Sequence, residues 1–160
     1  EKGFKLIGKW RWEVRDVKTG KLNRKESGEA YNIVPDVALQ TFAQQIADST
    51  ITRDIRDNLY VAVGSDATAV AAGDTVLGTE TARKAMGSKS AASGVASIAA
   101  FFAATEATGT HREFGLFGDG GTTQATASVD TGILFSHVNV NVTVSATETL
   151  TVTFELTFSR

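Results

Sequence analysis

The sequence predicts a mainly β protein: an antiparallel β-sandwich, jelly-roll-like, carrying one α-helix. Three observations lead there. Long stretches alternate apolar and polar residues with period two, most cleanly in TLTVTFELTFSR near the C-terminal end, as an antiparallel sheet with one buried face requires. These stretches follow one another like hairpins, without the strand–helix alternation of a parallel sheet. A single segment carries a helical period. The chain has 160 residues and is 42% hydrophobic, enough for one domain with its own core.

The elements follow in order. In FKLIGKWRWEVRD, Phe4, Leu6, Trp10, Trp12 and Val14 share one parity, with Lys5, Lys9, Arg11 and Glu13 between them. Ile7 and Gly8 interrupt the alternation, as a bulge would. Thr19-Gly20 marks a turn, so the spacing predicts a hairpin with strands near 4–15 and 21–31. Residues 1–30 are expected to form a basic hairpin arm apart from a sandwich domain at 31–160. In VPDVALQTFAQQIADS, Leu39, Phe42, Ala43 and Ile46 occupy one helical face. Pro35 and Asp36 suit the start of a helix over about 36–49. LYVAVG predicts a strand to Gly64. Residues 65–94, rich in Gly, Ala and Ser, read as a long surface loop with Leu77 pinned into the core. Strands follow at about 95–105, 111–118, 132–145 and 149–160.

Charge is unevenly spread. Residues 1–29 hold nine of the 16 Lys and Arg but only five acids. Such an arm can bind nucleic acid or dock on the acidic body of a neighbouring copy. The five acids dilute the excess and favour docking, so no nucleic-acid partner is expected. There is no cysteine, which excludes thiolate chemistry and Cys-based zinc sites. No apolar run is long enough to span a membrane, and EKGFKLIGKWRW lacks the apolar stretch of a signal peptide.

Chemistry is sparse. No nucleophile elbow, Walker loop, zincin helix or dinucleotide fingerprint occurs. The two histidines, His111 and His137, are too few for a zinc site without acidic help, and His137 reads as an ordinary strand residue. Glu106 and Glu113 could face each other across a hairpin, but like charges there repel. Pairing of one with Arg112 or Arg83 is the better reading. The glycine-rich GDGGTTQ lacks the helix a phosphate loop needs and the acids a calcium loop needs, so it reads as a turn. No catalytic, cofactor or metal residue is assigned. Trp10 and Trp12, with Phe4, Lys9 and Arg11, form either a stacking platform for bases or sugars or one face of an interface or core.

Five segments in order carry a resemblance. They are the Asn-Ile-Val entry to the helix, the strand to Gly64, the pattern D-T-x-L-x-x-E-x-x-R (Asp74, Thr75, Leu77, Glu80, Arg83), REFGLFG and GILFSHV before a Thr-rich final strand. Over residues 31–160 this order resembles small structural proteins of tailed bacteriophages. The resemblance implies a non-enzymatic virion component, assembled in the bacterial host cytoplasm. Its partners would be copies of itself, in a closed ring or trimer, and other virion proteins. Placement in the tail, baseplate or fibre-attachment region is expected; decoration of the capsid exterior is the alternative, and a host-glycan-binding module a further one. The expected contact residues are Phe4, Lys9, Trp10, Arg11, Trp12, Leu77, Glu80 and Arg83. An exposed Glu80–Arg83 pair would contribute at most about 1 kcal/mol.

Overall fold

A computed structural model describes residues 5–159; Phe4 lies outside them. Two antiparallel sheets pack face to face. The elements are β1 (Lys5–Asp16), β2 (Gly28–Tyr31), α1 (Asp36–Ala47), β3 (Tyr60–Gly64), β4 (Glu80–Ala85), β5 (Ser88–Ala92), β6 (Val95–Phe102), β7 (Gly109–Gly118), β8 (Ile133–Val144) and β9 (Glu148–Ser159). One sheet has the order β2-β1-β9-β6-β5 and the other β4-β3-β7-β8. The expected mainly β sandwich with one helix is what forms.

The N-terminal hairpin exists, but it is no separate arm. β1 pairs with β9 along its whole length, from Lys5 opposite Ser159 to Asp16 opposite Glu148. Its even positions therefore face the other sheet. Trp10 is fully buried and Trp12 is 9% exposed. Trp10 packs against Phe154 and Phe114, and Trp12 meets Phe114 edge to face. The Trp10 Nε1–H donates to Ser136 Oγ at 2.8 Å, which satisfies the one polar atom that burial of the indole would strand. Trp10→Phe keeps the ring but loses that bond. We expect a cost of about 1–3 kcal/mol in chemical denaturation.

Gly8 is not a bulge. The β1–β9 register runs through it without a shift, and a Cβ at Gly8 would collide with the Asn32 side chain. The residue is glycine because Asn32 occupies the space where an inward side chain would stand. The second strand of the hairpin is shorter than the spacing suggests, since only Gly28–Tyr31 pairs with β1.

The helix forms, but on a different face. Ala38 and Thr41 are buried, and Phe42 stacks on Phe135 with centroids 5.6 Å apart. Leu39 is 46% exposed and Ile46 89%. The packed set is turned by one residue from the expected one, about 100° around the axis. Small residues at 38 and 41 let the helix approach the sheet closely, which outweighs burial of Leu39 and Ile46.

Residues 65–94 are not one loop. β4 and β5 lie within them. Residues 65–79, with Leu77 at 3% exposure, instead cover the outer face of the smaller sheet. There Leu77 joins Ala62, Phe117 and Leu134 in a second small core.

Candidate functional site

The outer face of the smaller sheet carries the densest polar chemistry in the described chain. The register sets Glu113 opposite Gly64 on β3 and opposite Asn139 on β8, with His137 opposite Gly115. These side chains share the face opposite Phe114 and Val138, which point into the main core. Residues 65–79 close over them. Glu113 is 2% exposed and His137 4%.

Every polar atom at the centre has a partner. His137 Nε2 lies 2.9 Å from Glu113 Oε2, and its Nδ1 lies 2.8 Å from Asp74 Oδ2. Glu113 also accepts the backbone N–H groups of Gly78 and Thr79, each at 2.9 Å, and of Asp66 at 3.3 Å. Asp74 accepts the N–H of Ala71 at 2.8 Å. Asn139 accepts the Val70 N–H and donates to the Thr68 carbonyl. Gly64 permits the close approach, because a Cβ there would strike the Glu113 carboxylate and the Thr79 carbonyl.

Burial alone would raise the Glu113 carboxyl. Hydrogen bonds from His137, Thr79 and Gly78, with the charge of His137, outweigh it and hold the group below the ordinary glutamate range. Both ring nitrogens of His137 are engaged by carboxylate oxygens, so in this arrangement neither is turned toward a nucleophile. Because the carboxylates flank the ring, the three groups do not converge on one point. Among the described residues no group of His, Cys, Asp and Glu gathers with the geometry of a metal site. A polar cleft of about 370 Å³ opens onto the cluster; its lining includes Glu113, His137 and Asp74 together with Asp66, Thr68 and Thr75. What this arrangement does is fasten residues 65–79 to the sheet.

Arg83 makes a second fastening. Its Nε and Nη2 donate to the two Glu80 oxygens at 2.5 and 2.7 Å, and Nη1 donates to the carbonyls of Thr126 and Thr131. The guanidinium lies 4.5 Å from the Phe117 ring centroid. The Arg83 and Glu80 side chains are 1% and 0% exposed. The local ion pair forms, and it is buried, so the figure of about 1 kcal/mol for an exposed pair does not apply to it.

The other expected contact residues are scattered. Trp10, Trp12 and Leu77 are in the two cores and offer no surface. Lys9 pairs with Glu29 at 2.7 Å, and Arg11 with Glu155 at 3.2 Å, so part of the basic charge is neutralised within the molecule. Glu106 pairs with Lys84 and does not meet Glu113, which pairs with neither Arg112 nor Arg83. His111 is buried with Nε2 at 2.8 Å from the Ala107 carbonyl, and burial holds its pKa below the ordinary histidine value. In the glycine-rich turn, Asp119 is 2% exposed; Oδ1 accepts from the Ala125 N–H, and Oδ2 accepts from Asn58 Nδ2 and Arg53 Nη1, so its oxygens fix the turn and tie it to the segment before β3.

The role of His137 was not visible in the sequence, where it sits beside Val138 on the polar side of an alternating strand. The available signal was REFGLFG: Phe114, Leu116 and Phe117 occupy both parities, and a strand apolar on both sides has cover on both faces. No family model, curated protein or solved structure matches this chain.

Proposed function

We propose that the protein is a structural component of a tailed-phage virion, without enzymatic activity. It works by assembling with copies of itself and docking on other virion proteins in the tail, baseplate or fibre-attachment region. The phage context rests on the order of segments over residues 31–160. The docking rests on one observation: the outward face of α1. Leu39, Ala43 and Ile46 form an exposed apolar stripe at i, i+4 and i+7. Between them stand glutamines, and Asp36 is the helix's one charged residue. A solvated helix face is ordinarily charged; an apolar stripe without charge has the composition of an interface core.

This moves docking from the N-terminal hairpin to α1. Deleting residues 1–30 would remove a central strand and Trp10 with it, so it would not isolate docking. A glycan platform built on Trp10 and Trp12 has no support, because neither ring faces solvent.

The test is the double variant Leu39→Glu, Ile46→Glu. Both side chains are exposed, so circular dichroism and melting should be nearly unchanged. Wild type should self-associate in sedimentation velocity and enter particles when co-expressed with the other virion proteins. The variant should sediment as a monomer and its incorporation should fall by at least about tenfold. A wild type that is monomeric, with a variant that enters particles normally, overturns the reading. Copy number per particle addresses placement: hundreds of copies would exclude the tail and favour capsid decoration.

A further inference from the structure

At one end of the sandwich, between β6 and β9 on one side and α1, β7 and β8 on the other, lies an apolar cleft of about 460 Å³. Its walls include Phe42, Leu59, Ile98, Phe135, Phe154 and Leu156. The volume and lining are those of a small-molecule site, in which apolar walls give affinity and a few polar groups give orientation. The space comes from the sequence. At the sheet edge the inward positions of β5 and β6 are Ala91 opposite Ala96. Along the same inward face of β6, Phe102 fills the core completely.

The polar residues of the lining are Arg56, Lys89, Ser90 and Ser97, and Lys89 is the cation among them whose side chain is not held by a carboxylate. Lys89 stands opposite Ile98 in the register, so it points to the cleft side of β5. Its ammonium donates to the Arg56 carbonyl at 3.2 Å and forms no ion pair among the described residues. The neighbouring Arg56 guanidinium is already taken by Asp54, whose two oxygens accept from Nε at 2.8 and 2.9 Å. The cleft thus offers an apolar wall and, at its rim, a lysine ammonium that is held in no direct ion pair among the described residues and whose charge is felt by Asp54 nearby.

We infer that this cleft binds an anionic amphiphile: an unbranched aliphatic chain ending in one carboxylate. The chain would lie along Phe42, Phe135, Ile98 and Phe154, and the carboxylate would meet Lys89. An inward lysine on an edge strand can also serve only to discourage pairing with other chains, and the experiment separates the two roles.

The experiment is calorimetric titration of the full chain with dodecanoate and with dodecanol, each below its aggregation threshold. Wild type should bind dodecanoate with a Kd on the order of tens of micromolar, and dodecanol more weakly. Ala96→Phe fills the cleft from β6 and should weaken both by at least about tenfold. Ala91→Phe fills it from β5 and serves if Ala96→Phe fails to melt cooperatively. Lys89→Met should weaken dodecanoate by about tenfold and leave dodecanol unchanged. Absence of dodecanoate binding to wild type overturns the inference, as does binding unaffected by the filling variants. Equal affinity of wild type and Lys89→Met for dodecanoate overturns the carboxylate assignment and leaves Lys89 as an edge guard.

Discussion

Glu113→Ala is expected to destabilise the protein by about 3–5 kcal/mol, because one partner of a buried charged set is removed and the others stay. Three backbone N–H groups and His137 Nε2 lose their acceptor at once. In a protein of this size that corresponds to a fall in Tm of about 10 °C. Amide exchange at Gly78 and Thr79 should accelerate more than exchange in β9, since the loss begins at the covering segment. Glu113→Gln keeps one acceptor oxygen and should cost about 1–3 kcal/mol.

The same carboxyl sets a pH dependence. Its folded value lies below the ordinary 4.5, so its contribution is present above that value and lost as pH falls through the folded one. Asp74 and Asp66 face His137 from the covering segment, and other carboxylates titrate in the same range. The informative quantity is therefore the difference between wild type and Glu113→Gln. Wild type should lose more stability than the variant on acidification below 4.5. Parallel curves would show that Glu113 does not hold the segment through its charge.

Arg83→Ala is expected to have an effect of similar size, about 3–5 kcal/mol. It leaves Glu80 buried with the Asp130 N–H as its remaining partner, removes the Arg83 donor from the Thr131 carbonyl and leaves the Thr126 carbonyl with Thr131 Oγ1 alone, at 3.3 Å. Arg83→Lys should recover only part of the loss, because an ammonium cannot form the two parallel bonds to Glu80 while reaching both carbonyls. Thermal melting measures the total, and proteolysis within 124–131 reports the released segment. A change of less than about 1 kcal/mol for Arg83→Ala would place this pair with ordinary surface pairs.

Strands with one dry and one wet face announced themselves. β9 and the second half of β8 alternate without a break, and their positions came close to the observed ones. β5 did not, because an edge strand exposed at every position has no apolar face to mark a period. β4 did not either: Glu80 and Arg83 look like solvated residues in a sequence, yet their burial depends on Thr126 and Thr131, far along the chain. The D-T-x-L-x-x-E-x-x-R pattern was visible as a pattern before its meaning was. Asp74 reaches His137, Leu77 enters the outer core, and Glu80 with Arg83 clasps the segment after the glycine-rich turn. The helix shows a different limit. Its existence follows from periodicity, but which stripe packs depends on how closely α1 can approach β8, and small residues decided that over large ones.

The pairing of β1 with β9 also governs how the chain reaches its fold. The first described strand finds its longest partner in the last, so the larger sheet closes only by a contact spanning nearly the whole sequence. Such non-local pairing carries a high loop-closure cost and slows folding. Until β9 has been synthesised, Trp10, Trp12 and Val14 have no strand beside them on that side. During synthesis this apolar edge is open to other nascent chains, and the interval in which it needs protection is set by the time taken to make the residues between them.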